Sequence, residues 1–178
     1  MGYLLRKIRK SRWIKLENTD EEYWSQINPD ALGDLSTKDQ TLSFWLIESD
    51  KSNLERVISS MAAVNDPQSN FDYALISLQK FEELFLIPKG LNIVRSEGNT
   101  YDEYVNKNWH RDLTSLSVMK LCELADLIFS ESQITRVLPK NVLELVANGV
   151  KSGYINKSKI NDKYLTKIKN VIDSSTIN

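Results

Sequence analysis

One cysteine, Cys122, and one histidine, His110, are all the soft-ligand chemistry that the 178 residues contain. A lone cysteine excludes an internal disulfide, and the pair falls short of the three or four ligands of a closed zinc site. Thiol-pair redox chemistry and iron–sulfur ligation go with them. Six glycines contain neither GxxxxGK[ST] nor GxGxxG, so recognised phosphate cradles are missing, as is the GxSxG of a hydrolase elbow. The acids Asp30, Asp34 and Asp39 do not have calcium-loop spacing. No apolar run approaches the roughly 20 residues of a membrane span, and none follows the basic N-terminus as a secretory signal would. The expectation is a cytoplasmic protein without cofactor or metal.

Charge is present in quantity, and a formal net charge of -1 conceals its layout. Residues 1–15 hold Arg6, Lys7, Arg9, Lys10, Arg12 and Lys15 and no acid, whereas 135–178 hold eight basic side chains against Glu144, Asp162 and Asp173. The stretch between them is correspondingly acidic. Two uses follow from such an arrangement: the basic ends lie against the chain's own acidic middle, or the separated charges steer partners.

Periodicity gives the elements. Residues 41–47 alternate Leu42, Phe44 and Leu46 with Trp45 and Ile47, apolar on both sides, which predicts an interior strand. Ser52 and Glu55 have capping-box spacing ahead of Leu54, Val57, Ile58, Met61 and Ala62, a helix pattern. A strand over 71–77 would complete a β-α-β unit with a parallel crossover. Leu84–Ile87 and Leu91–Val94 around Pro88-Lys89-Gly90 read as a hairpin. Asp20, Glu21 and Glu22 before Tyr23 and Trp24 suit a helical first turn.

Residues 96–108 are polar and mark a boundary, after which strand patterns stop. From 112 to 129 a helix apolar on most of its circumference is expected, capped by Asp112 and holding Cys122 as an inert buried thiol. A second begins at Pro139 and stops at Gly153, and a third carries Ile160, Tyr164, Leu165, Ile168, Val171 and Ile172. The predicted fold is α+β: a small mixed sheet with one or two helices in 1–108, bearing a basic N-terminal arm, packed on a three-helix region over 109–178 as one compact unit.

For function, absence of a catalytic constellation favours a non-enzymatic bacterial interaction module. Its expected role is stoichiometric binding of a basic protein, as an immunity, inhibitory or accessory subunit acting on a partner such as a nuclease toxin. Asp20, Glu21, Glu22, Trp24, Asp30 and Asp34 are its candidate contacts, combining steering charge with an aromatic anchor. An alternative uses Arg6, Lys7, Arg9, Lys10 and Arg12, with Trp13, for nucleic acid. A polar or anion site at Trp109, His110 and Arg111, with carboxylates converging on His110 for acid–base work, is the third.

Overall fold

A computed structural model describes residues 2–14, 27–64 and 69–175. The fold is α+β. Six strands form one sheet in the order β4-β5-β2-β1-β3-β6, and every pairing is antiparallel. They are β1 Tyr3–Ile8, β2 Leu42–Ile47, β3 Phe71–Ser77, β4 Ile93–Arg95, β5 His110–Leu113 and β6 Gln133–Val137. The expected basic arm is therefore an interior strand: β1 pairs Leu5 with Trp45 on one side and with Leu75 on the other. Its insertion also corrects the mixed sheet. β2 and β3 run in the same direction and are joined through α1 (Leu54–Ala63), but β1 lies between them, so no parallel ladder forms.

Strand alternation sends one set of apolar side chains to each face, and helices cover both. On the first face Leu4, Ile8, Phe44, Ile76 and Leu113 pack beneath the 3-10 turn Pro29–Leu35, a helix over 78–89 and α5 (Val118–Glu131). On the second, Leu5, Trp45, Ile47 and Leu75 pack beneath α1, α4 (Glu103–Asn108), α6 (Pro139–Lys151) and α7 (Asp162–Ser175). The three C-terminal helices thus divide between two layers. Residues beyond 108 supply β5 and β6, which pair with β2 and β3, so the sheet spans the expected boundary.

Several local expectations change for identifiable reasons. The hairpin over 84–94 is instead a helix in three parts, α2 (Leu78–Phe81), a π-turn (Glu82–Leu86) and α3 (Ile87–Lys89). Gly90 ends it at φ 59°, while Gly90 N–H donates to the Ile87 carbonyl and Leu91 N–H to that of Leu86. That is a Schellman stop, which places the same glycine after an apolar run as a hairpin would. The capping box does not close: Ser52 Oγ donates to Glu48, and Asn53 bonds instead to Glu48 N and the Leu46 carbonyl. α5 is capped by Ser117, not Asp112, and buries only one side. Val118 and Met119 are exposed, and Cys122 is half-buried.

Candidate functional site

His110 lies on β5 with its side chain toward the second face, beside Asp112 and opposite Trp45 and Ser43 of β2. The ring meets Trp45 edge to face at 4.7 Å, and Nδ1 is 2.7 Å from Ser96 Oγ. Gly98 closes over it. A Cβ at that position would fall 2.5 Å from Trp45 and 3.1 Å from both the His110 ring and Asn106, so only glycine lets the 96–100 loop approach. The result is an imidazole only 6% exposed at the base of a cleft of about 530 Å³, lined also by Lys38, Thr41, Ser43, Glu97 and Asp112.

A carboxylate does converge here, without a hydrogen bond to the ring. Asp112 Oδ1 is 3.9 Å from His110 Nε2, beyond hydrogen-bond reach, and accepts from Ser43 Oγ at 2.9 Å. Burial holds the imidazole below its ordinary pKa; neighbouring Arg111 and Arg6 act in the same direction, while Asp112 opposes it. His110 is accordingly a neutral ring fixed by Ser96 and Trp45.

The consequence for stability has a definite sign. The unfolded chain takes up a proton on this histidine more readily than the folded one, so stability is complete above pH 6.5 and declines as pH falls below it. Because His110 is the one histidine, denaturant melts at pH 7.5 and 5.5 isolate its contribution from carboxylates that titrate lower. The native protein should lose stability between those values, and His110→Gln should lose distinctly less. Equal losses would contradict a buried neutral imidazole.

Its neighbours in sequence do not form a site with it. Arg111 turns toward the first face and donates to the carbonyls of Asn108 and His110, while Trp109 belongs to a different cluster on the second. There Arg56 of α1 forms a two-point pair with Asp102, Nε to Oδ2 at 2.6 Å and Nη2 to Oδ1 at 3.1 Å. Its guanidinium lies 4.9 Å from the ring of Tyr104, 5.8 Å from Trp109 and 4.7 Å from Tyr154. Asp102 also caps α4, accepting from Tyr104 N and Val105 N. Beside this cage runs a second cleft, of about 570 Å³.

The N-terminal cations are put to separate uses. Arg6 is turned inward and donates to the carbonyls of Asp34 and Ser43; burial pushes it down to about 10, against the opposing charge of Asp34. Arg12 pairs with Asp34 at 3.1 Å, Lys7 lies 5.5 Å over the Phe71 ring, and Arg9 and Lys10 are exposed. At the other end of the chain Arg136 grips Asp72 through both oxygens and holds that carboxyl below its usual range. Basic ends therefore do meet acids from the middle of the chain.

Of the acidic candidates, Asp30 is exposed, whereas Asp34 is half-buried, its side chain only 7% exposed and engaged by Arg9 N, Arg12 and Trp13 Nε1. Asp20, Glu21, Glu22 and Trp24 lie outside the described residues. Arg56, Tyr104, Tyr154, Ser43 and Ser96 carry no signal in the sequence, and Asp102 is there only one of many carboxylates. The Arg56–Asp102 pair is 46 residues apart in the chain, and no local spacing announces it.

Folding sorts charge by layer. The first-face elements hold Asp30, Asp34, Glu82, Glu83, Glu123, Asp126 and Glu131 against Lys80, Lys89 and Lys120. Lys80 and Lys89 are paired with Glu131 and Glu123. The second-face layer is reversed, the 3-10 turn Lys157–Lys159 and α7 alone carrying Lys157, Lys159, Lys163, Lys167 and Lys169 against Asp162 and Asp173.

The acidic layer also leaves large apolar side chains in water. Ile87 is 74% exposed, Val118 75% and Met119 62%, with Leu84 at 52% and Leu32 at 38%. The two ion pairs lay the 78–89 helix antiparallel to α5. Lys89–Glu123 ties its end one turn beyond Met119, and Leu84 and Ile87 fall between the two ties.

Among the described residues no group of three or more His, Cys, Asp or Glu could hold a metal, and no helix is long and apolar enough to cross a membrane. Comparison with family models, curated proteins and solved structures found no match.

Proposed function

We propose that the protein is a non-enzymatic, cytoplasmic binding module that engages a basic protein partner at equal stoichiometry through its first face, as an inhibitory, immunity or accessory subunit does. The observation that carries this reading is the exposure of Leu84, Ile87, Val118 and Met119 on adjoining helices inside an acidic layer. Exposed apolar side chains grouped and rimmed by charge mark interaction surfaces, and methionine and large aliphatic anchors supply the buried centre of such contacts. Exposed Asp30, Glu83 and Asp126 supply the rim, which would steer a cationic partner and set the salt dependence of association. The 16–26 segment, which precedes the Pro29–Leu35 turn in the sequence, is itself acidic.

The test is affinity capture from the native host with the native protein and with the pair Ile87→Asp and Met119→Asp. Both positions are exposed, so the melting temperature should hardly move. A basic protein should be recovered near one to one with the native chain, and its retention should drop at least about tenfold with the variant, the loss of some 1.4 kcal/mol or more expected when anchors are removed. Recovery of no near-equimolar partner, or equal recovery by the variant, would overturn the reading.

A further inference from the structure

The second-face cleft has a composition that the protein-binding reading does not use. It lies between the start of α4 and the α6–α7 connection and is lined by Tyr101, Tyr104, Tyr154, Glu103, Lys157 and Lys159, among others. Tyr104 is 52% exposed even though Arg56 stacks on it at 4.9 Å and Trp109 meets it edge-on at 5.2 Å. Its ring is thus braced from behind and open in front. Braced aromatic rings with an open face are stacking platforms.

The cations across the cleft are equally well set. Lys157 and Lys159 sit on a single 3-10 turn whose entry is fixed by Asn156 Oδ1, which accepts from Ser158 N and Oγ. Both are exposed, and neither has an acidic partner among the described ion pairs. Gly149 permits the chain to fold back here, since a Cβ at that position would collide with Tyr154 and Ile155. Asp102 contributes little free charge, being held by Arg56, which leaves Glu103 as the one unpaired carboxylate of the lining.

We propose that this cleft binds a nucleotide, its base stacked on Tyr104 and its phosphate held by Lys157 and Lys159. An apolar ligand would not explain the lysine pair, and a simple anion would not explain the open ring. One ligand class carries both features within a single unit. The same chemistry is offered by a free nucleotide and by a single strand, in which successive units would run on toward the lysines of α7.

The experiment uses fluorescence anisotropy with a labelled oligo(U) of about 15 nucleotides, UMP as competitor, and a duplex of the same length. The native protein should bind the single strand at low salt, and the duplex, whose bases are already stacked, more weakly. Tyr104→Ala should weaken binding about tenfold or more, while Tyr104→Phe, which keeps the ring, should bind as the native protein does. Lys157→Ala with Lys159→Ala should weaken binding and flatten the salt dependence by about 1.4 in slope, the share of two phosphate contacts on a single strand. UMP competing as well as the oligomer identifies a free nucleotide, and competition by the oligomer alone identifies a strand; either supports the cleft. No binding of either probe, or binding indifferent to Tyr104→Ala and to the lysine pair, would overturn it. The first-face variants leave this assay untouched, so its failure is separable from failure of the protein-binding reading.

Discussion

Arg56→Ala should cost about 3–5 kcal/mol of folding stability, far more than Asp102→Asn, even though the two residues form one ion pair. The asymmetry follows from where each charge would be left. The Asp102 side chain is 2% exposed, so without Arg56 a carboxylate stays buried with only the Tyr104 and Val105 N–H groups as donors. Arg56 is 33% exposed, so without the carboxylate it can turn its guanidinium to water. Truncating Arg56 also empties a space bounded by Tyr104, Trp109 and Tyr154, removing packing as well as charge. Asp102→Asn keeps an oxygen to cap α4 and should cost about 1–2 kcal/mol. Arg56→Lys restores the charge without the two-point geometry and should fall between them. Denaturant melts decide the order. Equal losses for Arg56→Ala and Asp102→Asn, or a larger loss for the latter, would contradict the burial argument.

The second large effect is expected at Asp34, a residue the charge layout alone offers as a partner contact. Its carboxylate is the acceptor for Arg9 N at 2.7 Å, Trp13 Nε1 at 2.9 Å and Arg12 Nη1 at 3.1 Å, joining the end of β1 to the 29–35 turn. Its backbone carbonyl holds the inward-facing Arg6. Asp34→Ala strands the indole N–H of a tryptophan only 5% exposed and withdraws the negative charge that offsets the burial of Arg6. A loss of about 3 kcal/mol follows, against about 1 for Arg12→Ala, whose side chain is 29% exposed. A stability change within about 0.5 kcal/mol, the range of ordinary surface substitutions, would show that Asp34 is free for a partner instead.

Elements whose own pattern reports their burial are legible in the sequence. β2 is apolar on both sides because it lies between β5 and β1 with helices above and below, and α1, α6 and α7 carry continuous stripes. β5 is not legible, since His110-Arg111-Asp112-Leu113 satisfies its polar side chains through Ser96 and Ser43 from elsewhere in the chain and through the local carbonyls of Asn108 and His110. β6, a short edge strand, has the same difficulty. Gly90 is ambiguous by nature, because a glycine in the left-handed region ends a helix as readily as it turns a hairpin.

The charge layout was legible along the chain and not in space. Residues 1–15 look like a basic arm, yet Arg6 and Arg12 close on Asp34, and the positive surface comes from the C-terminal third instead. The acidic middle divides in the same way. Glu82, Glu83, Glu123 and Asp126 stay with the exposed apolar side chains of the first face, while Asp72 and Asp102 are drawn into buried pairs with arginine. One-dimensional counting cannot separate a carboxylate that will be gripped by a guanidinium from one that will meet water.

If the two faces of the sheet have independent binding roles, a crossed comparison separates them. The captured partner and labelled oligo(U) are each titrated against two proteins, one carrying Ile87→Asp with Met119→Asp, the other Tyr104→Ala with Lys157→Ala. The first should lose the protein partner and keep the oligonucleotide, while the second should do the reverse. Loss of both ligands in either protein, with its melting temperature unchanged, would contradict that independence.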